Sequence, residues 1–188
     1  GAAFADVNGD VSFDLLLTTF RKGTLCLLND GKGQFTDATA KAGLESRTSG
    51  TTLALGDVDR DGDLDLYVAN FGELALLRDG GSFAVRRVGG KSVVTGQHAK
   101  RLKIINDKLI EFGETDAFYL NDGHGVFQRV PWGDGRFVRS DGQRLAEPLD
   151  FGLCVQMRDI NGDGFADIYV CNDFQTPDRF WLNDGAGR

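Results

Sequence analysis

The chain has 188 residues, of which 41% are hydrophobic and 26% are charged, and its formal net charge is −7. This length and apolar content suffice to bury a core, and no apolar run approaches the roughly 18 residues of a membrane-spanning helix, so no membrane span is predicted. The acidic balance and the absence of a dominant basic face argue against nucleic acid as a partner.

Three acidic segments share one pattern, which places a carboxylate or amide at positions 1, 3, 5 and 9 of a nine-residue loop. We call them loop 1 (residues 6–14), loop 2 (residues 57–65) and loop 3 (residues 159–167). Oxygen atoms at alternate positions can surround a hard cation, and Ca²⁺ takes about 6 to 8 of them. Because three copies argue against an ordinary acidic turn, each loop is predicted to bind one calcium ion.

The flanks of the loops distinguish them from EF-hands. An EF-hand has a Glu at position 12 and a helix on each side, whereas position 12 here is Leu17, Val68 or Val170. Loops 2 and 3 are followed by Leu66-Tyr-Val68 and Ile168-Tyr-Val170, runs whose β-branched and aromatic residues favour strands. Each loop is therefore predicted to connect two antiparallel strands.

A second repeated signal is the Asn-Asp-Gly turn, which is typical of hairpins. It occurs at residues 29–31, 121–123 and 183–185, with a reduced copy at 78–83. One repeat then reads strand, acidic loop, strand, turn, strand, Asn-Asp-Gly turn, strand. Four antiparallel strands per repeat indicate a propeller blade, so the fold is predicted to be all-β, a β-propeller of four-stranded blades with calcium loops.

The spacing of the loops suggests the blade boundaries. The loops begin at residues 6, 57 and 159, and the second interval is twice the first. We therefore predict four blades of one propeller domain covering residues 1–188, at about 1–39, 52–88, 92–130 and 151–188, with an inserted loop at 131–150. The third blade is degenerate and lacks an acidic loop. Residues 89–115 are left as either a hairpin or an amphipathic helix over 99–112.

The ends of the chain suggest a fragment. Residue 1 falls inside a predicted first strand, and residue 188 follows the last Asn-Asp-Gly turn, where the other copies carry a Phe. We expect the chain to be part of a larger propeller of about seven blades.

The three cysteines each lie in a predicted strand. If the hairpin around Asp163 is regular, Cys154 pairs with residue 172, so that the thiols of Cys154 and Cys171 lie on opposite faces. Buried thiols are therefore predicted for Cys26, Cys154 and Cys171 rather than a disulfide.

The combined pattern, Asp-x-Asp/Asn-x-Asp-Gly-x-x-Asp with Leu-Tyr-Val and Asn-Asp-Gly-x-Gly-x-Phe, resembles the FG-GAP or VCBS repeat. The resemblance is closest to bacterial relatives of cartilage acidic protein with a UnbV-type domain, and the same loop occurs in the propeller of integrin α chains. It covers residues 1–88, 116–127 and 151–188. It implies two to three Ca²⁺ ions, and loop 1 is the weakest site because Val11 stands where Gly is usual, with Gly9 expected to take up the turn.

The resemblance also implies the ligand set, which is the side chains at positions 1, 3, 5 and 9 and the backbone carbonyl at position 7. Carried over, the metal ligands are Asp6, Asn8, Asp10, Ser12 (backbone) and Asp14; Asp57, Asp59, Asp61, Asp63 (backbone) and Asp65; and Asp159, Asn161, Asp163, Phe165 (backbone) and Asp167.

A candidate ligand patch lies in the inserted loop 131–150, which is long for a connection between strands. Trp132, Arg136, Phe137 and Arg139 together offer aromatic and cationic groups that could bind a sugar or a protein. Alternatively, Trp132 and Phe137 fold back as the loop's own small core.

A repeated calcium blade is a scaffold, so the function depends on the residues that the blades carry on their surface. The favoured hypothesis is a non-catalytic, extracytoplasmic calcium-binding module for protein or surface binding and adhesion, because low-affinity calcium sites suit secreted, periplasmic or cell-surface proteins. Its partner would be an unidentified protein or glycan. One alternative is a lectin-like propeller. Another is a lyase-like enzyme acting on acidic polysaccharide through Lys100, Arg101 and Lys103, although no catalytic motif is present.

Overall fold

The computed structural model describes residues 1–72, 76–79, 82–173 and 176–185. Short antiparallel strands make up its regular structure, apart from a helical turn α1 at Leu76–Asp79 and a 3₁₀ turn at Ala99–Arg101. The strands are β1 Ala2–Ala5, β2 Asp14–Thr18, β3 Thr24–Asn29, β4 Phe35–Asp37, β5 Gly50–Gly56, β6 Asp65–Asn70, β7 Ala84–Val88, β8 Lys91–Thr95, β9 Leu102–Ile105, β10 Lys108–Glu111, β11 Ala117–Asn121, β12 Phe127–Arg129, β13 Gly152–Arg158, β14 Asp167–Asn172 and β15 Arg179–Trp181.

Three sheets carry the acidic loops. Blade 1 has the strand order β1-β2-β3-β4, blade 2 has β5-β6-β11-β12, and blade 3 has β13-β14-β15. In each blade the acidic loop joins the first strand to the second, as the sequence predicts. The chain is all-β and consistent with part of a β-propeller. The predicted last strand of blade 3 would follow the turn at 183–185, and residues 186–188 lie outside the described residues.

The pairing in blade 2 differs from the predicted boundaries. Ala117 pairs with Val68, and Tyr119 with Leu66, so β11 is the third strand of the blade that begins at residue 50. The segments predicted as separate blades, 52–88 and 92–130, thus contribute to one sheet. The doubled interval between loops reflects an insertion at 71–116, because spacing alone does not reveal which strands pair. Strand β6 is buried at every residue, as expected for a strand covered on both faces.

The insertion contains two hairpins, β7–β8 and β9–β10. The second occupies residues 102–111, so the hairpin alternative applies there rather than a helix over 99–112. Its turn residues Asn106 and Asp107 have φ of 50° and 60°, which suits a tight hairpin turn. The repeat order predicts a strand before the reduced turn at 78–83, but Leu76 and Leu77 there belong to α1. Residues 80–81 of the reduced turn lie outside the described part.

Two hydrophobic clusters hold the blades together. The first joins blades 1 and 2 and includes Leu16, Leu66 and Phe127. The second joins blades 2 and 3 to the loop 131–150 and includes Phe118 and Val170. Burial of each large side chain contributes roughly 1.5–3 kcal/mol, so these clusters stabilise the alignment of the acidic loops at one end of the blades.

The first hairpin of blade 3 contains a bulge at residue 153. Gly152 pairs with Asn172, but Cys154 pairs with Cys171. The prediction that Cys154 pairs with residue 172 was wrong by one position, because loop 3 sets a register in which Arg158 lies opposite Asp167, and this register continues without a break to Cys154 and Cys171. Cys26 is buried, whereas Cys154 is exposed and Cys171 is partly exposed, so the prediction of buried thiols is confirmed only for Cys26.

Among the described residues, no helix is both long and apolar enough to cross a membrane.

Candidate metal centre

The three acidic loops share one backbone conformation. Position 4 has positive φ in each: Gly9 at 76°, Arg60 at 62° and Gly162 at 80°. Position 6 also does: Val11 at 71°, Gly62 at 96° and Gly164 at 87°. The expectation that Gly9 replaces the missing glycine of loop 1 was wrong, because Val11 itself takes the left-handed conformation. A β-branched residue in that region is strained.

The first carboxylate of each loop binds the loop's own backbone. Asp6 Oδ1 accepts hydrogen bonds from the N–H of Gly9 (2.8 Å) and Asp10 (3.2 Å), and Oδ2 accepts one from Val11 (2.8 Å). Asp159 accepts the three corresponding bonds in loop 3, and Asp57 accepts two in loop 2. The loop is thereby wrapped around its first carboxylate.

The carboxylate at position 9 ties each loop to the Asn-Asp-Gly turn. Asp14, Asp65 and Asp167 are fully buried, at 0% exposure. In loop 2, Asp65 Oδ2 accepts the N–H of Val58 at 3.0 Å and Oδ1 accepts that of Asn121 at 3.0 Å. Loops 1 and 3 repeat both bonds. Burial raises the pKa of Asp65 to about 6, in spite of these two bonds and with a further contribution from Asp59 and Asp61.

Loop 2 concentrates the most negative charge. One carboxylate oxygen each of Asp57, Asp59 and Asp61 lies within 4.8 Å of the others. Burial, followed by the charge of Asp61, raises the pKa of Asp59. Carboxylate oxygens at this separation suit a hard divalent cation, whose charge would offset the repulsion between them. The donor set of loop 2 thus fits calcium.

Loops 1 and 3 satisfy part of their charge internally. The Asn8 amide Nδ2 donates to Asp10 Oδ2 at 3.0 Å, and Asn161 Nδ2 donates to Asp163 Oδ2 at 2.8 Å. The backbone N–H of Ser12 chiefly lowers the pKa of Asp10, and that of Phe165 chiefly lowers the pKa of Asp163. We therefore rank loop 2 as the strongest candidate. The backbone ligands at Ser12, Asp63 and Phe165 rest on the family resemblance.

Neighbouring blades are linked beside the loops. Asn121, from the turn of blade 2, donates through Nδ2 to the carbonyl of Val7 in loop 1 at 2.9 Å. Asn183, from the turn of blade 3, donates in the same way to Val58 in loop 2 at 2.7 Å. The sequence motif identified these asparagines as turn residues but gave no signal that they bridge blades.

A second polar cluster, missed in the sequence, repeats at the other end of blades 2 and 3. Tyr67 Oη donates to Asp116 Oδ2 at 2.9 Å, and the N–H of Asn70 donates to Asp116 Oδ1 at 2.7 Å. Blade 3 has the same bonds from Tyr169 and Asn172 to Asp178. The repeated spacing from Tyr to Asn was a signal for this cluster, but the insertion separates Asp116 from both in the sequence.

The candidate ligand patch is divided between core and surface. Trp132 and Phe137 are 6% and 7% exposed, and their ring centres lie 4.4 Å apart. Trp132 Nε1 donates to the carbonyl of Asp116 at 3.0 Å. Arg136 and Arg139 remain nearer the surface, beside Asp134 at 3.5 Å and Asp141 at 3.8 Å. This favours the small-core alternative for the two aromatic residues, so Trp132 is not placed to stack on a sugar.

A cavity of about 410 Å³ lies between the loop 131–150 and blades 2 and 3. It is lined by Arg136, Phe137, Arg139, Phe180 and Trp181, among others. Of the predicted patch, the cavity brings together Arg136, Phe137 and Arg139.

The structure buries one of the three cationic residues of the enzyme hypothesis. Arg101 is 7% exposed and forms an ion pair with Glu111 at 3.1 Å. Glu111 in turn accepts the backbone N–H of Leu76 and Leu77. Arg101 thus supports the base of the insertion.

Comparison with known proteins gives one family. Residues 6–68 match the model of the FG-GAP-like repeat, and no curated protein matches the chain. The matched segment contains loop 1, the last three strands of blade 1, strand β5, loop 2 and most of strand β6. The match supports the FG-GAP repeat family for these blades.

Proposed function

We propose that the chain is a non-catalytic calcium-binding repeat module that binds a protein or a surface outside the cytoplasm. The observation that carries this proposal is the acidic cluster of loop 2, in which three carboxylates lie within 4.8 Å of one another. The loop conformation recurs in loops 1 and 3. Calcium bound in these loops would supply charge neutralisation, and the chain's own residues hold the loops in place through the buried position-9 carboxylates.

The match to the FG-GAP-like repeat supports the same proposal. Repeats of this kind are generally found in extracellular adhesion and binding modules. The VCBS and UnbV-type relationship and the secreted, periplasmic or cell-surface location are part of the proposal. Calcium is abundant outside cells, where sites with Kd near 10⁻⁴–10⁻³ M are occupied.

The insertion offers surface for a partner. Strand β7 is exposed along its whole length, and Val85 and Val88 are 50% and 62% exposed. The calcium loops form part of the repeated scaffold, whereas the insertion departs from the repeat. Surface that departs from a repeated scaffold is where binding residues are expected.

An adhesion assay tests the proposed function. Beads coated with the protein are incubated with a panel of purified matrix proteins and glycans, in millimolar calcium or in chelator. We expect adhesion to at least one surface, lost in chelator, without cleavage of any glycan. Equal adhesion in calcium and in chelator, or cleavage of a polysaccharide, would contradict the proposal.

The lectin-like alternative is favoured by the cavity beside blade 3. Phe180 is 49% exposed and lines this cavity with Arg139, so an aromatic face and a cation are both available. Because Trp132 is core, Phe180→Ser and Arg139→Ala are the variants that test it, with Val93→Ser on β8 as a distant exposed control. Calcium-dependent glycan binding that these two variants abolish and the control retains would favour the lectin over the protein-binding module.

A further inference from the structure

The first hairpin of blade 3 places two cysteines opposite each other, in the unbroken run of pairs that begins with Arg158 and Asp167 beside loop 3. Cys154 on β13 lies directly opposite Cys171 on β14. Directly opposed residues of an antiparallel pair project to the same face and have Cα atoms about 4.5–5.5 Å apart. A disulfide requires Cα atoms about 4.4–6.8 Å apart, so the backbone already provides the separation that the bond needs.

The same register in blade 2 shows that the fold does not itself require cysteines. There Gly50 pairs with Asn70, and Thr52 pairs with Ala69. These are the repeat counterparts of Gly152 with Asn172 and of Cys154 with Cys171. Blade 3 thus carries a thiol pair at a register that blade 2 fills with two unreactive side chains.

The two thiols are also accessible, in contrast to the third. Cys154 is exposed and Cys171 is partly exposed. Cys26 is fully buried, at 0% exposure, and burial, with Asp14 nearby, raises the pKa of its thiol to about 11. The thiolate is the form that attacks a disulfide, so Cys26 serves as an internal unreactive control.

We propose that Cys154 and Cys171 form a cross-strand disulfide when the protein meets a small disulfide oxidant. One thiolate attacks a sulfur of the oxidant, forming a mixed disulfide and releasing one small thiol. The second thiolate then attacks the protein sulfur of that mixed disulfide, forming the protein S–S bond and releasing the second small thiol. The two cysteines lose two protons and two electrons, and the oxidant gains them.

The bond would restrain the hairpin that carries loop 3. Loop 3 lies between the two cysteines along the chain, and a cross-link limits the conformations of the segment it closes. This inference goes beyond the proposed function and does not depend on calcium binding or on a partner.

Oxidation of the folded protein by glutathione disulfide tests the proposal. Wild type and the variants Cys154→Ser, Cys171→Ser and Cys26→Ser are equilibrated with reduced and oxidised glutathione, then alkylated in denaturant and analysed by mass spectrometry without reduction. We expect oxidised wild type to carry one alkyl group, on Cys26, and to weigh about 2 Da less, the mass of two hydrogens, than the reduced chain with a single alkyl group. It should also yield a peptide pair linked through Cys154 and Cys171.

The variants separate this bond from other products. Cys26→Ser should form the same linked pair, whereas Cys154→Ser and Cys171→Ser should retain a free thiol or a glutathione adduct. Three free thiols in oxidised wild type would overturn the proposal. Glutathione adducts alone, a link that includes Cys26, or a link between two chains would overturn it equally.

Discussion

The guanidinium carbon of Arg60 lies 3.8 Å from the centre of the Phe165 ring, which places loop 2 in direct contact with loop 3. Arg60 also donates to the carbonyl of Gly164. Arg60 occupies position 4 with φ of 62°, where loops 1 and 3 have glycine. The contact therefore offsets part of the strain of a side chain in a left-handed conformation, and it couples two acidic loops through one cation.

A double-mutant cycle on this pair should show favourable coupling. Arg60→Ala keeps a side chain at position 4 and removes the guanidinium, and Phe165→Ala removes the ring. We expect a coupling free energy of about 0.5–1 kcal/mol in urea unfolding, typical of an exposed cation–π pair. The control cycle combines Phe165→Ala with Arg86→Ala on the distant hairpin β7–β8, and should give no coupling. Equal values in the two cycles would contradict the interaction.

Replacement of Val11 by glycine should stabilise the protein. Val11 is 91% exposed, so the variant loses little packing, and glycine adopts a φ of 71° without strain. Relief of about 1–2 kcal/mol of strain exceeds the entropic cost of a glycine in the unfolded chain, about 0.4–1 kcal/mol. A net gain of up to about 1.6 kcal/mol is expected by urea unfolding.

The matched control for Val11→Gly is Val88→Gly. Val88 is also exposed, at 62%, but it lies in strand β7, where glycine weakens the sheet. The control should lose stability. A loss of stability in both variants would show that the left-handed conformation of Val11 carries no measurable strain.

The hydrogen bond from Asn121, which links two blades, should contribute more to stability than the corresponding bond from Asn29 within blade 1. Asn121→Ala leaves the carbonyl of Val7 without this donor in a buried site, which costs about 1–3 kcal/mol. Asn29 occupies the same turn position, but its Nδ2 donates within blade 1 to Phe13 at an exposed site. Asn29→Ala should therefore cost less in thermal unfolding. If Asn29→Ala loses as much stability as Asn121→Ala or more, the link between blades does not stabilise the fold beyond an ordinary turn.

The two repeated aspartates, Asp116 and Asp178, should respond to pH with opposite signs. Burial raises the pKa of Asp116 to about 7, so the folded state holds a proton that the unfolded state releases. The stability gained from that proton is complete below the unfolded value of about 4 and is lost as the pH rises through 7. Asp116→Asn should therefore gain stability relative to wild type between pH 5 and pH 8.

Asp178 provides the matched control. The backbone N–H of Asn172 chiefly lowers the pKa of Asp178, so this carboxylate contributes stability above its unfolded pKa and loses it as the pH falls. Asp178→Asn should be less stable than wild type at neutral pH, and the gap should close in acid. Urea unfolding measured from acid to pH 8 gives the stability of both variants relative to wild type. Parallel pH profiles for the two variants would refute the role of burial.

Features set within one loop could be predicted from the sequence. The alternating oxygens and the flanking strand residues indicated a turn around a cation, and the structure gives all three loops one conformation. The blade boundaries could not be predicted, because the insertion at 71–116 has nearly the length of a blade. It therefore lengthens the spacing between loops 2 and 3 by about one repeat. Pairing of Val68 with Ala117 depends on contacts distant in sequence.

Side-chain contacts between repeats could not be predicted from the sequence either. Nothing in the local sequence distinguishes Arg60 from a solvated arginine, because its partner Phe165 lies in the next loop. Trp132 and Phe137 suggested a ligand patch because aromatic residues in a long loop can either bind a ligand or pack into a core. In the structure both pack in the buried cluster that contains Phe118. The register that places Cys154 opposite Cys171 likewise depends on the pairing of strands rather than on their composition.

Calcium binding by loop 2 is the central claim, and calorimetric titration of the metal-free protein with calcium tests it most directly. Wild type, Asp61→Asn and Asp107→Asn are compared; Asp107 is an exposed aspartate in the β9–β10 turn, outside the acidic loops. We predict saturable binding of two to three ions, the loss of one ion in Asp61→Asn, and wild-type behaviour in Asp107→Asn. No heat of binding, with no calcium-dependent rise in the thermal midpoint, would show that the loops are acidic turns and contradict the account.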